Sequence, residues 1–162
     1  MRRTHKVVLG ALVLLPLLTG IALATPGIGV ISAPVWARGT HAELLNVHSE
    51  AGVKLQTKEP VDFVTQQIRI APGGTTGWHS HPGPVLVTVK SGALTIVYAS
   101  DASCDGRTYT AGESFVDRGD ENVHTAFNRG NVELDLWATY LVPGEAGAPF
   151  RLDAPDPGLC SS

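Results

Sequence analysis

The sequence predicts an all-β protein, an antiparallel sandwich or barrel, on three observations. Short segments of alternating apolar and polar residues recur along most of the chain, turn-forming clusters separate them, and nothing after the leader sustains a helical period. Composition agrees, since 18 Gly and 11 Pro would interrupt long helices while 43% hydrophobic residues suffice for a core. At 162 residues there is room for one ordinary domain beside an export segment.

That export segment comes first. Met1 to Lys6 is basic, Val7 to Ala24 is apolar apart from breaks at Pro16 and Gly20, and the run closes on Ala22-Leu23-Ala24, the small-residue pattern of a signal cleavage site. A second apolar stretch, Ile28 to Ala37, ends Val35-Trp36-Ala37, so residues 1–37 read as leader with cleavage after Ala24 or after Ala37. An uncleaved anchor is the alternative, and would be the chain's contact with a membrane. No Cys follows the apolar run to carry a lipid, and Arg2-Arg3 matches a twin-arginine signal poorly. The expected location is outside the cytoplasm, secreted or in the cell envelope.

Of twelve Lys and Arg, three lie in this leader, which holds no acid, so the rest of the chain sets nine cations against fifteen acids, a formal charge of −6. Such a surface excludes a nucleic-acid partner, because phosphate binding needs clustered cations. The chain also offers no Ser-His-Asp arrangement and no phosphate loop.

Residues 38–60 read as a polar arm, with Leu44-Leu45 its one apolar pair and with His41 and His48 as solvated or packed histidines. The barrel itself is expected over 61–143. Val61, Phe63, Ile68 and Ile70 alternate up to a turn at Ala71-Pro72-Gly73-Gly74. Strands follow at Val85 to Val89 and Ala93 to Tyr98, then a polar loop from Asp101 to Gly106. Tyr109-Thr110 leads to a turn at Ala111-Gly112, Ser114 to Val116 and Val123 to Phe127 are short strands, and Val132 to Val142 is expected to be the longest. Residues 144–162, rich in Gly, Ala and Pro, read as an irregular tail.

The only cysteines are Cys104, in the polar loop, and Cys160 in the tail. In an oxidising compartment two such cysteines are expected to bond, pinning the tail to the barrel with a contribution of about 2–4 kcal/mol; two free thiols are the alternative.

Chemistry concentrates in three histidines. His79 and His81 are separated by one residue, and a strand points residues i and i+2 to one face. Both imidazoles can therefore reach one ion, and His124, opening a later strand, is placed to supply a third.

These residues resemble the cupins, small double-stranded β-helix barrels of the jelly-roll type. Gly73, His79, His81 and Gly92 fall in register with the first cupin motif, and Pro82-Gly83-Pro84 resembles the family's loop. Gly112, His124 and Asn128 match the second, with one extra residue before the His and with Arg118 and Asp120 where the family has Pro and Gly. The likeness covers roughly residues 60 to 142. The leader, the segment GWHSHPGP, a loop Cys and a terminal PGLC also resemble a secreted bacterial subgroup, which again implies a Cys104–Cys160 bond.

One departure shapes the functional expectation. The register puts Val85 where the family's Glu ligand stands, so that position contributes no carboxylate. Three neutral imidazoles suit a divalent transition ion, iron first, with manganese, nickel, copper and zinc as alternatives. Gln67 or Glu113 is a candidate fourth ligand, and Trp78, Gln67 and Asn128 are the candidate pocket residues; of Trp78, Phe115, Phe127, Trp137 and Tyr140, the aromatics able to line a barrel mouth, only Trp78 adjoins a ligand.

The resemblance implies a metal-binding barrel. Some cupin dioxygenases work with three His and no Glu, so a mononuclear dioxygenase acting on a small organic molecule is one reading. A non-catalytic barrel binding a metal or small ligand is the other, and a metal-assisted isomerase or lyase a third. Oxygen consumption separates the first from the rest. Homodimerisation through sheet edges, common among cupins, is a further expectation.

Overall fold

A computed structural model describes residues 24–158 and residue 160, so the leader as far as residue 23 lies outside the described residues. Every regular element among them is a strand. In chain order these are β1 (Ile28–Ser32), β2 (Val35–His41), β3 (Asn46–His48), β4 (Lys54–Gln56), β5 (Val61–Thr75), β6 (His79–Ser80), β7 (Val85–Ser91), β8 (Ala93–Tyr98), β9 (Arg107–Thr110), β10 (Ser114–Asp117), β11 (His124–Phe127), β12 (Leu134–Pro143) and β13 (Leu152–Asp153).

The all-β barrel expected from the sequence is present, as a double-stranded β-helix. One main sheet runs β10-β7-β12-β5-β11-β6-β13, with β8 joined to β11 and β9 to β8, and it curls until it almost closes. The strand grammar explains why these segments take these places. In β7 the apolar Val85, Val87 and Val89 are buried while Leu86, Thr88 and Lys90 face out, the two-residue period of a half-buried strand. Their inner faces meet Val64 and Ile70 of β5, Leu94 and Ile96 of β8, and Leu134, Leu136 and Val142 of β12 in one core.

Four expectations are corrected. The chain does not turn at residues 71–74. β5 continues through them to Thr75, because Gly73 donates its N–H to the Asn128 carbonyl and Gly74 accepts from the Asn128 N–H, extending the ladder past the proline. β5, not β12, is therefore the longest strand.

The barrel also draws on residues before 61. β1 pairs with β5 near Ile70 and Thr75, and β2 pairs with it from Val35↔Gln66 to His41↔Val61, so Ile28 to Ala37 lies along the barrel wall. Main-chain pairing covers the otherwise free edge of β5, while Ile28, Val30, Ile31, Val35 and Trp36 stay 39–62% exposed, and Trp36 stacks on Trp137 with centroids 6.3 Å apart. Within the arm, β3 and β4 form a separate hairpin.

The tail is likewise not irregular throughout. Its β13 pairs with β6, Leu152↔Ser80 and Asp153↔His79, and Ala154 donates its N–H to the Trp78 carbonyl. The Cys104–Cys160 disulfide is formed and packs with Trp78, Val97 and Ala154 in a second small core.

Candidate metal centre

β6 carries His79, the loop after it His81, and β11 begins with His124, which lies directly across the ladder from His79. All three side chains are buried, and each offers a ring nitrogen within 4.8 Å of the other two. Ring centroids stand 4.5 Å apart for His79–His124, 4.9 Å for His79–His81 and 5.2 Å for His81–His124.

The hydrogen bonds decide which nitrogen faces the centre. His79 Nδ1 lies 2.8 Å from the Gly77 carbonyl, His81 Nδ1 2.7 Å from the Phe150 carbonyl and His124 Nδ1 2.9 Å from the Asn122 carbonyl. A carbonyl only accepts, so each Nδ1 carries the proton and donates it, leaving Nε2 with its lone pair. Ligating histidines are oriented in this way. Burial keeps the lone pairs available, holding His79 well below the ordinary histidine value, bringing His81 down to about 4 and lowering His124 even against the nearby Asp117 charge. Three converging neutral imidazoles fit a divalent transition ion.

Two spaces adjoin the triad. A small void of about 50 Å³ inside the barrel touches all three histidines, Asp117 and Phe115. A larger cavity of about 350 Å³ opens outward from His79. Its walls are Gln66 and Ile68 of β5, Tyr140 of β12, Arg151 and Asp153 of the tail, and Pro26, Gly27, Val30 and Ala33 from the N-terminal segment. Tyr140 donates its hydroxyl to Gln66 Oε1 at 2.8 Å, and burial raises its pKa. Arg151 is held by Asp153 Oδ1 at 2.7 Å and by the Thr76 carbonyl at 2.9 Å.

The other candidates lie elsewhere. Gln67 gives its amide to both Asp135 carboxylate oxygens on the outer side of β5, since it is out of phase with the inward Val64 and Ile70. Glu113 caps the turn at Thr110 in solvent. Neither can be a fourth ligand. Trp78 adjoins His79 in sequence and so points to the opposite face, into the second core. Asn128 is structural, bridging the Ile70 and Val132 carbonyls and accepting the Gly130 N–H.

The cavity residues passed over were Gln66, Arg151 and Asp153, while Tyr140 stood among the candidate mouth aromatics. Strand parity favoured Gln66 over Gln67, and Tyr140 over Trp137, because Gln66 shares the phase of Val64 and Ile70 and Tyr140 that of Leu136 and Ala138. Nothing local marks Arg151, which arrives with the returning tail.

No protein-family model matches the chain, and no curated protein matches it in sequence. Among solved structures, a double-stranded β-helix protein from Klebsiella pneumoniae is 23% identical over 58% of this chain and 76% of its own, with a TM-score of 0.47. A cupin domain from Bordetella pertussis is 20% identical over 74% of this chain and 97% of its own, with a TM-score of 0.44. An oxalate oxidase is 30% identical over 48% of this chain and 40% of its own, with a TM-score of 0.40.

Proposed function

We propose that this barrel, cupin-like in fold, is an exported protein that binds one divalent transition ion through Nε2 of His79, His81 and His124 and presents it to a small organic molecule. The observation that carries the reading is the set of three Nδ1–H donors committed to main-chain carbonyls, which turns the three free lone pairs toward one point. A bound ion would supply Lewis-acid or redox chemistry there.

The chain's own residues do the rest. Burial excludes bulk water from the imidazoles, the hydroxyl of Tyr140 fixes the Gln66 amide at the cavity wall, and Arg151 puts a cation beside the mouth. A cavity of about 350 Å³ is within the range that takes a small organic ligand. Three His without an acidic ligand supports the finer reading, a metal-dependent dioxygenase with iron as its ion.

Export accords with the basic and apolar leader and with the disulfide. Cleavage after Ala24 is the site consistent with a wall built from residues 26–33, since cleavage after Ala37 would remove it.

The test is metal content by elemental analysis of the chain from residue 25, produced in an oxidising compartment without a His tag. About one equivalent of a transition ion is expected for a single mononuclear site. Protein that is folded, empty and unable to take up metal on titration would sink the reading. Oxygen uptake with small organic substrates then separates dioxygenase from binding barrel, tight binding without turnover favouring the latter.

A further inference from the structure

The position where the cupin pattern has an acid holds Val85, yet the site is not without a carboxylate. β10 runs antiparallel to β7 with Asp117 directly opposite Val85. Residues directly opposite across a ladder point to the same face, and Val85 points inward, with 2% of its surface exposed. Asp117 is equally buried, at 2%, and lines the inner void together with the three histidines.

Its bonding is incomplete. Oδ1 accepts the Gly119 N–H at a long 3.4 Å. Oδ2 has no hydrogen-bond partner among the described residues and stands 3.5 Å from His124 Nδ1, beside the proton that already goes to the Asn122 carbonyl. A carboxylate sealed from water is costly unless a cation or several donors face it. Here the neighbouring ring is a neutral imidazole. A divalent ion on the far nitrogen of that ring would supply the missing positive charge.

We propose that Asp117 is the carboxylate of the metal centre, a positioning residue that backs His124 from the strand facing Val85 and offsets part of the ion's charge. The proposal rests on the metal reading above. It accounts together for the buried orphan oxygen and for the apolar residue at the acid's usual place. The acid has moved across the ladder, from ligand to partner of a ligand.

The experiment compares Zn(II) affinity, by competition with a chromophoric chelator, for the parent chain, Asp117→Asn, and Asp117→Asn combined with Val85→Glu. Asp117→Asn keeps the shape and removes the charge. Its Zn(II) affinity is expected to fall by about 10–100-fold, the usual effect of losing the partner of a ligand, while the metal-free protein melts no lower than the parent. The double variant, with an acid back at position 85, is expected to regain affinity. Unchanged Zn(II) affinity in Asp117→Asn overturns the proposal, as does a lower melting temperature of the metal-free variant with affinity intact, which marks a structural role. A parent chain that binds no metal instead defeats the underlying metal reading, and that failure shows before any variant is made.

Discussion

At each triad histidine one nitrogen is held by the main chain and the other is left to act, so single substitutions have distinct meanings. Replacing His79, His81 or His124 with Ala removes one lone pair from a set of three, and each variant is expected to retain only a small fraction of the roughly one equivalent expected of the parent. Elemental analysis after desalting reads this, and full retention in any variant removes that residue from the centre. Asp62 belongs to a different network. Buried in β5, it accepts from Arg38 Nε at 2.6 Å and from the Gly147 N–H at 2.9 Å. The Thr40 side chain, the Gly147 amide and Arg38 bring its pKa from 3.8 down to about 2. As the pH falls, the unfolded chain takes up this proton first, so the stabilisation is complete above about pH 4 and is lost as the pH falls through about 2. Melting curves of metal-free protein from about pH 5 to pH 2 should therefore decline more steeply for the parent than for Asp62→Asn, and matching slopes would place the acid sensitivity elsewhere.

Among the elements, the two chain ends do the unexpected work. The N-terminal strands cover β5 and supply Pro26, Gly27, Val30 and Ala33 to the cavity. A chain beginning at residue 38 is therefore expected to melt lower than one beginning at residue 25 and to aggregate in size-exclusion chromatography, because a strand edge is uncovered; equal stability would make those strands dispensable and leave cleavage after Ala37 open. At the other end, the tail delivers the Phe150 carbonyl to His81 and β13 to β6, and Cys160 fastens it to Cys104. Replacing both cysteines with Ser should cost about 2–4 kcal/mol in denaturant unfolding, and should weaken metal binding as well if the tail sets the His81 ring. The loop before β11 is a third control point. Gly119 has a φ of +74°, and a Cβ there would lie 2.3 Å from the Gly83 carbonyl oxygen, the contact that joins the loop after His81 to the loop before His124. Asp120, at the Gly position of the second motif, keeps a positive φ of 54°, so the backbone conformation that favours glycine persists there beside Gly119.

For the whole molecule, the proposed metal binding is expected to be linked to folding. A ligand that binds only the folded state stabilises it by an amount set by its excess over Kd, about 2.7 kcal/mol at a hundredfold excess. Metal-free protein should therefore melt higher on adding Zn(II), whereas a variant lacking all three histidines should show no shift; a shift retained in that variant would point to a different metal site. The sequence by itself determined the class of barrel and the three-histidine cluster, because both are written in local patterns. Two-residue alternation with Gly and Pro punctuation specifies strands and turns, and a His-x-His pair puts two rings on one face wherever the strand lies. Only the tertiary structure decided what surrounds that triad. Which strand covers β5, which carbonyl receives the His81 proton and which carboxylate stands opposite Val85 all depend on ladder pairings between segments far apart in the chain. The Phe150 carbonyl is main chain and carries no residue signature. Asp117 becomes significant only when β10 is laid beside β7, so its place follows from register rather than from spacing.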